Sequence, residues 1–253
     1  IITQPGKDFT DKELRRIDQF VMKGKSLAVF ASAANLKASD PSMKATLSLH
    51  NLDKLLGGYG IEVSKDVAFD WGRMMRIPVM NQSGGASWIF SQGVSQVQYL
   101  PGADENQQML DNSFAGFFRI DELSFPYPSS ITIKPEKQAG SSIKVIARTS
   151  PRTSIDSSES VDLRPTDKVK PKPPFEAKAI AAVAEGKLKS AFGGGDAEGV
   201  TIPASASGDA RVLVVSSSHF LANPFARAGS GPDQGPQFAM MGNVGGDEML
   251  QMI

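Results

Sequence analysis

Apolar positions change their period twice along this chain. From Thr10 onward they recur at helical spacing, with Leu14, Ile17 and Val21 on one face and Phe20 beside them. Thr10 and Glu13 stand at the cap and third helical position of a capping box, Phe9 and Leu14 at the spacing of a hydrophobic staple. Gly24 stands where a left-handed C-cap closes such a helix. Ile1 to Thr3 reads as the tail of a buried strand before a turn at Pro5-Gly6, and Ser26 to Ala31 (SLAVFA) as a central strand. Ser39 to Ser42 can cap a second helix, whose stripe is Leu49, Leu52, Leu55 and Leu56 and whose end is Gly57-Gly58. Ile61 to Val63 and Val67 to Phe69 follow as short strands. Residues 1–70 therefore predict alternating strands and helices, the pattern of an open α/β sheet with right-handed crossovers.

Between residues 71 and 175 the pattern shifts to a period of two. Ser129 to Lys134 (SSITIK) and Ser142 to Thr149 (SIKVIART) are strand candidates, separated by breakers at Pro101-Gly102, Pro126, Pro128 and Gly140. Asp104 to Asn112 is a candidate short helix. Arg164 to Pro174, rich in proline and lysine, reads as an extended connector. Glu176 to Lys187 has helical propensity through its alanines, yet Ala177, Ala179, Ala181, Val183 and Glu185 also fit a strand. Arg211 to Ser216 (RVLVVS) is the clearest buried strand, and Phe238 to Ile253 starts a closing helix broken by Gly245-Gly246. The expected organisation is an α/β core of residues 1–70 plus 176–253, with 71–175 as a β-rich insertion or second subdomain.

Composition narrows the chemistry. The 253 residues carry 27 basic and 27 acidic groups, so no net field draws the chain toward nucleic acid. Without cysteine there is no thiol nucleophile, thiolate metal site or disulfide. No stretch approaches a membrane span, and both ends, Ile1-Ile2-Thr3 and Met249 to Ile253, read as cut from a longer protein. The glycine clusters at Gly84-Gly85, Gly193 to Gly195 and Gly245-Gly246 match neither a Walker A loop nor a dinucleotide fingerprint, and no cofactor is implied. His50 and His219 lack metal-ligand spacing. His219 follows Ser216, Ser217 and Ser218 at a strand end, where α/β sheets bind ligands. A serine hydrolase would use such residues, but neighbours on a strand point to opposite faces and there is no nucleophile elbow. The aromatics from Trp71 to Tyr127 read as the core of the β-rich segment rather than a sugar or peptide groove. The basic run Lys168 to Pro174 reads as a solvated linker rather than a contact for acidic lipid or a partner.

Several segments then resemble one family in the right order. ITQPGKDFTDKELRRIDQFVMKGKSLAVF resembles the opening of the gliding-motility-type (GldG-like) ABC-transporter auxiliary proteins: proline turn, capped helix with an Ile-Asp pair, and hydrophobic strand. LDKLLGGYGIEVSKDVAFD, FPYPSSITI, IARTSPRTS, AVAEGKLKSAF, RVLVVSSSHFLAN and GNVGGDEMLQMI are similar to its later segments, and they favour a strand over residues 176–187. Lys25 stands where a second glycine is common. The resemblance implies a mostly parallel α/β sheet of flavodoxin-like or class I glutamine-amidotransferase-like type. It implies an extracytoplasmic, periplasmic domain of a protein anchored to the inner membrane by flanking helices, acting beside an ABC permease and an ATPase. It carries no catalytic residues over, and amidase chemistry would need a cysteine that this chain lacks. The expectation is a non-enzymatic binding or scaffold module, with an envelope or small-molecule ligand held, if at all, by loops after strands: Gln4 and Gly6, Ser32 and Asn35, Ser217, Ser218, His219 and Asn223. A Ser/His hydrolase acting on envelope material and a periplasmic solute receptor are the alternatives.

Overall fold

The first helix forms where its caps allow. Thr10 is extended, its hydroxyl accepts the Glu13 N–H at 3.2 Å, and the Glu13 carboxylate accepts the Thr10 N–H at 2.8 Å. Leu14, Val21 and Met22 are buried on the inner face, and Gly24 closes the end with φ 73°. The computed structural model describes residues 1–36, 42–80, 86–104, 107–165 and 170–221. In chain order its elements are α1 (Asp11–Met22), β1 (Leu27–Phe30), β2 (Ala34–Asn35), β3 (Lys44–Leu47), α2 (Leu52–Gly58), β4 (Ile61–Val63), β5 (Val67–Asp70), β6 (Met74–Met80) and β7 (Ala86–Gln98). There follow β8 (Glu122–Pro126), β9 (Ile131–Ile133), β10 (Ser142–Arg148), β11 (Thr153–Asp156), β12 (Ser160–Asp162), β13 (Ala179–Gly186), β14 (Gly195–Ala197), β15 (Val200–Ile202) and β16 (Ala210–Val215). Among the described residues no helix is long and apolar enough to cross a membrane.

The main sheet runs β1-β16-β13-β9-β4, with β10 also paired to β13. Among its described strands only β1 and β16 are parallel, Leu27 opposite Val212 through Phe30 opposite Val215, extended on the far side of β1 by a parallel bridge from Ile2 to Val29. The central strand β13 is antiparallel to β16, β9 and β10, and β4 is antiparallel to β9. Smaller sheets pair β5 with β11, β2 and β12 with β3, β14 with β15, and β7 with β6 and β8. Alternate residues of the main sheet feed two cores. Val29, Val212, Val214, Ala182 and Ala184 meet α1 and α2 on one face. Phe30, Leu213, Val215, Ile180 and Val183 meet Phe117, Phe125 and Phe220 on the other. A third core, around Val67, Met75, Val94 and Tyr127, joins β5 to β7.

This architecture corrects the expected fold. It is a β-rich protein of several small sheets, not a flavodoxin-like or amidotransferase-like doubly wound α/β fold. The α/β pattern failed for three reasons. Among the described residues the helices cover one face of the sheet, and the other face is covered by Phe117 and Phe125 from the middle of the chain and by Phe220. The strands between the parallel pair and β4 run antiparallel. The expected second helix is shorter: residues 44–47 form a strand, and α2 starts only at Leu52, after His50 and Asn51 with φ 50° and 66°. Within residues 176–187 the chain forms a strand over Ala179–Gly186, as the family resemblance favoured, because both faces of β13 are buried. Asp104 to Asn112 carries no helix in its described part. The capping serine at 39, the glycine pairs at 84–85 and 245–246, Lys168, Asn223 and the closing helix at 238–253 lie outside the described residues.

Candidate functional site

The parallel strands β1 and β16 end side by side, and the chain beyond each end brings most of the expected polar residues together. Beyond β1 comes Ser32, and beyond β16 come Ser216 and Ser217, then a 3-10 turn over Ser218–Leu221. The hydroxyls of Ser32 and Ser218 share a hydrogen bond of 3.2 Å, and Ser218 Oγ lies 3.0 Å from His219 Nδ1. The expectation that Ser218 and His219 point apart assumed that the strand continues. It stops at Val215, and the tight turn swings the two side chains together. The His219 ring packs edge-on against Tyr127 at 5.4 Å, and burial pushes its pKa below the ordinary histidine value.

The serines beside it serve the backbone. Ser216 Oγ shares its one proton between the carbonyls of Ser129 at 2.5 Å and Ile180 at 2.8 Å. Ser217 Oγ donates to the Pro126 carbonyl at 2.6 Å, and Ser129 Oγ donates to the Asp66 carbonyl at 2.7 Å while accepting the Ala33 N–H at 2.9 Å. All three side chains are fully buried. These bonds hold the parallel strand ends to the β8–β9 connection, and a ligand would have to break them.

A second network adjoins the first through residues 32–35. Asn35 donates to the carbonyls of Ala33 and Ser48, each at 2.9 Å. Its Oδ1 accepts from Gln4 at 2.6 Å and lies 2.9 Å from His50 Nε2. His50 Nδ1 is 2.9 Å from the Asp8 carboxylate. Gln4 Oε1 is buried and finds no partner among the described residues. Gly6 lies in the bend between Gln4 and Asp8. The expected loops therefore form two linked clusters, Gln4–Asn35 and Ser32–Ser218–His219. Asp8 and His50 were not among the expected ligand residues. The leucine stripe predicts His50 inside a helix, whereas the turn that aims it depends on backbone at positive φ.

Three buried aspartates explain the segments that carried the family resemblance. Asp18 of the Ile-Asp pair accepts from the Tyr59 hydroxyl, from Ser190 Oγ at 2.6 Å and from the Ala191 N–H at 3.1 Å. One carboxylate thus ties α1 to the end of α2 and to the loop after β13. Burial first, then the Asp18 charge, pushes the Tyr59 hydroxyl far above the ordinary tyrosine range. Asp70 accepts the N–H groups of Gly72 and Arg73, each at 3.0 Å, and both N–H and Oγ of Ser150, at 2.9 and 2.5 Å. Asp66 accepts N–H and Oγ of Ser130 at 2.7 and 2.5 Å. Burial raises the Asp66 pKa, and the two Ser130 bonds pull it part of the way back. These carboxylates are fully occupied within the fold and act as staples between distant segments.

Open clefts lie away from the strand ends. One of about 610 Å³ runs beside β10, between Tyr99, Asp111 and Lys144. One of about 440 Å³ lies beside β11, lined by Trp71, Ile155 and Lys172. Among the described residues no three His, Asp or Glu side chains gather as metal ligands.

No curated protein matches the chain. It is similar to a solved structure described as the mmIFT52 N-terminal domain, at 14% identity and a TM-score of 0.40, covering 86% of this chain and 64% of that one. The chain thus spans under two thirds of that structure's length. A family model for ABC transporter auxiliary components, described as an ABC-type uncharacterized transport system, matches residues 1–245, and the chain belongs to that family.

Proposed function

We propose that this auxiliary component of an ABC-type transport system is a non-enzymatic scaffold or binding module. It acts outside the inner membrane, beside a permease and an ATPase. The family match over residues 1–245 carries this reading. The site geometry supports it, because the polar groups at the strand ends and in the family-like segments are bound to backbone and to one another. The extracytoplasmic position and membrane anchoring rest on the resemblance to the gliding-motility-type proteins. Service to gliding motility rests on that resemblance alone. The test is purification of the protein from its native membrane in mild detergent, with cross-linking and mass spectrometry. Recovery of a multi-span permease and a Walker-motif ATPase, cross-linked to lysines of this domain, is expected. Recovery of the protein alone would defeat the proposal.

One observation favours a second reading, a Ser/His hydrolase: the 3.0 Å contact between Ser218 Oγ and His219 Nδ1, with a histidine that burial favours as neutral. Stoichiometric labelling of Ser218 by a fluorophosphonate probe, lost in His219→Ala, would establish it. An unlabelled protein would leave the scaffold reading in place.

A further inference from the structure

The basic, proline-rich run and the aromatic segment meet in one groove. β11 pairs with β5 along one edge. At the start of its other edge the Thr153 carbonyl accepts the Glu176 N–H at 3.0 Å. The preceding residues, 170–174, then splay away, and a cavity of about 440 Å³ lies between them and β11. Opposite Ile155, Ala68 turns its N–H away from β11, giving it to the Pro128 carbonyl at 2.8 Å. In an antiparallel pair both members of such a position face outward, so the N–H and C=O of Ile155 point to the open edge. The Ile155 side chain is 39% exposed. The apolar wall is completed by Trp71, whose indole N–H donates to Ser154 Oγ at 2.8 Å, and by Pro173 and Pro174.

The charges of this groove are unequal in availability. The Glu176 carboxylate is paired with Lys178, and Asp156 accepts the N–H and Oγ of Ser158 at 2.9 and 2.6 Å. Lys170 and Lys172 are exposed and have no ion-pair partner among the described residues. An exposed strand edge, an apolar wall and two exposed lysines without an ion-pair partner among the described residues select an extended, acidic segment with an apolar side chain.

We infer that this groove binds an acidic peptide segment of a partner protein. The segment adds to β11 at Ile155, lays an apolar residue against Trp71 and Pro173, and sets carboxylates toward Lys170 and Lys172. The inference rests on the reading of the chain as a binding module and supplies the chemistry of its partner.

Selection of a displayed random 12-residue peptide library on the 253-residue chain tests it. Enriched peptides should combine acidic residues with an aromatic or aliphatic anchor. Their affinity should fall about tenfold in K170E/K172E and with rising salt. The two substitutions are at exposed positions and should leave the melting temperature unchanged. Trp71 and Trp88 are the two tryptophans, so in W88F the emission reports on Trp71 and should shift when an enriched peptide binds. Absence of enrichment, enriched peptides without acidic bias, or binding indifferent to K170E/K172E would each overturn the inference. So would lysine-dependent binding to phosphatidylserine vesicles without peptide binding, which would make the groove a lipid contact. If the transporter subunits still co-purify while peptides fail, the groove is wrong and the auxiliary role stands. If peptides bind and the subunits do not co-purify, the reverse holds.

Discussion

Replacing Asp18 by alanine would leave the Tyr59 and Ser190 hydroxyls buried without their acceptor. Unsatisfied buried groups of this kind each cost about 1–3 kcal/mol, so D18A is expected to lower stability by roughly 3 kcal/mol or more in urea unfolding. Tyr59→Phe removes one donor and keeps the ring, and should cost about 1 kcal/mol. Equal losses for the two variants would show that ring packing, not the carboxylate, holds this junction. Asp66 makes a pH prediction. Its folded pKa is raised above the ordinary 3.8, chiefly by burial. As pH rises just above 3.8, the unfolded chain gives up this proton before the folded one does, so folding weakens across that window. Relative to Asp66→Asn, the wild type should therefore be more stable at pH 4 than at pH 7. A difference that stays constant or grows with pH would refute the assignment. Of these residues, Asp18, Tyr59, Asp70 and Ser130 all lay in family-like segments. Their mutual contacts were not legible, because contacts between residues as distant as Asp18 and Ser190 leave no local period.

At the scale of elements, α2 shows how a close approach overrides propensity. Gly58 ends the helix, and a Cβ there would sit 2.5 Å from the Cα, Cβ and carbonyl oxygen of Ala191. Helix propensity alone favours alanine over glycine by about 1 kcal/mol. The clash with backbone should outweigh this, and Gly58→Ala is expected to destabilise by about 2 kcal/mol in denaturant melts. A neutral or stabilising result would mean that the 190–194 loop yields easily. Elements with a long one-sided pattern or a continuous apolar run, such as α1, β1 and β16, were legible in position and type. The hairpin of β2 and β3 was not. Ala45 and Leu47 alternate over only four residues and run into leucines at helical spacing. Strand direction was equally hidden. β13 is buried on both faces, the mark expected of a parallel strand, yet it runs antiparallel to all its partners.

For the whole molecule, two apolar faces of one sheet need two different covers, and the chain supplies them from its start and its middle. The candidate site was legible to the extent that strand ends attract polar residues: Ser32, Ser218 and His219 do meet, as do Gln4 and Asn35. The groove at β11 was not legible, because its lysines and its tryptophan stand about a hundred residues apart in sequence. The pairing of β1 with β16 carries a kinetic consequence. Leu27 waits for Val212, so one hydrogen-bonding edge of β1 stays unpaired while nearly all of the described chain leaves the ribosome. Non-local pairing of this order makes folding slow and post-translational. A chain ending at residue 209 should lack a cooperative melt and aggregate, whereas a cooperative melt would locate the folding nucleus outside this pair. A nascent chain with such a late-closing centre offers chaperones a long interval in which it is still unfolded.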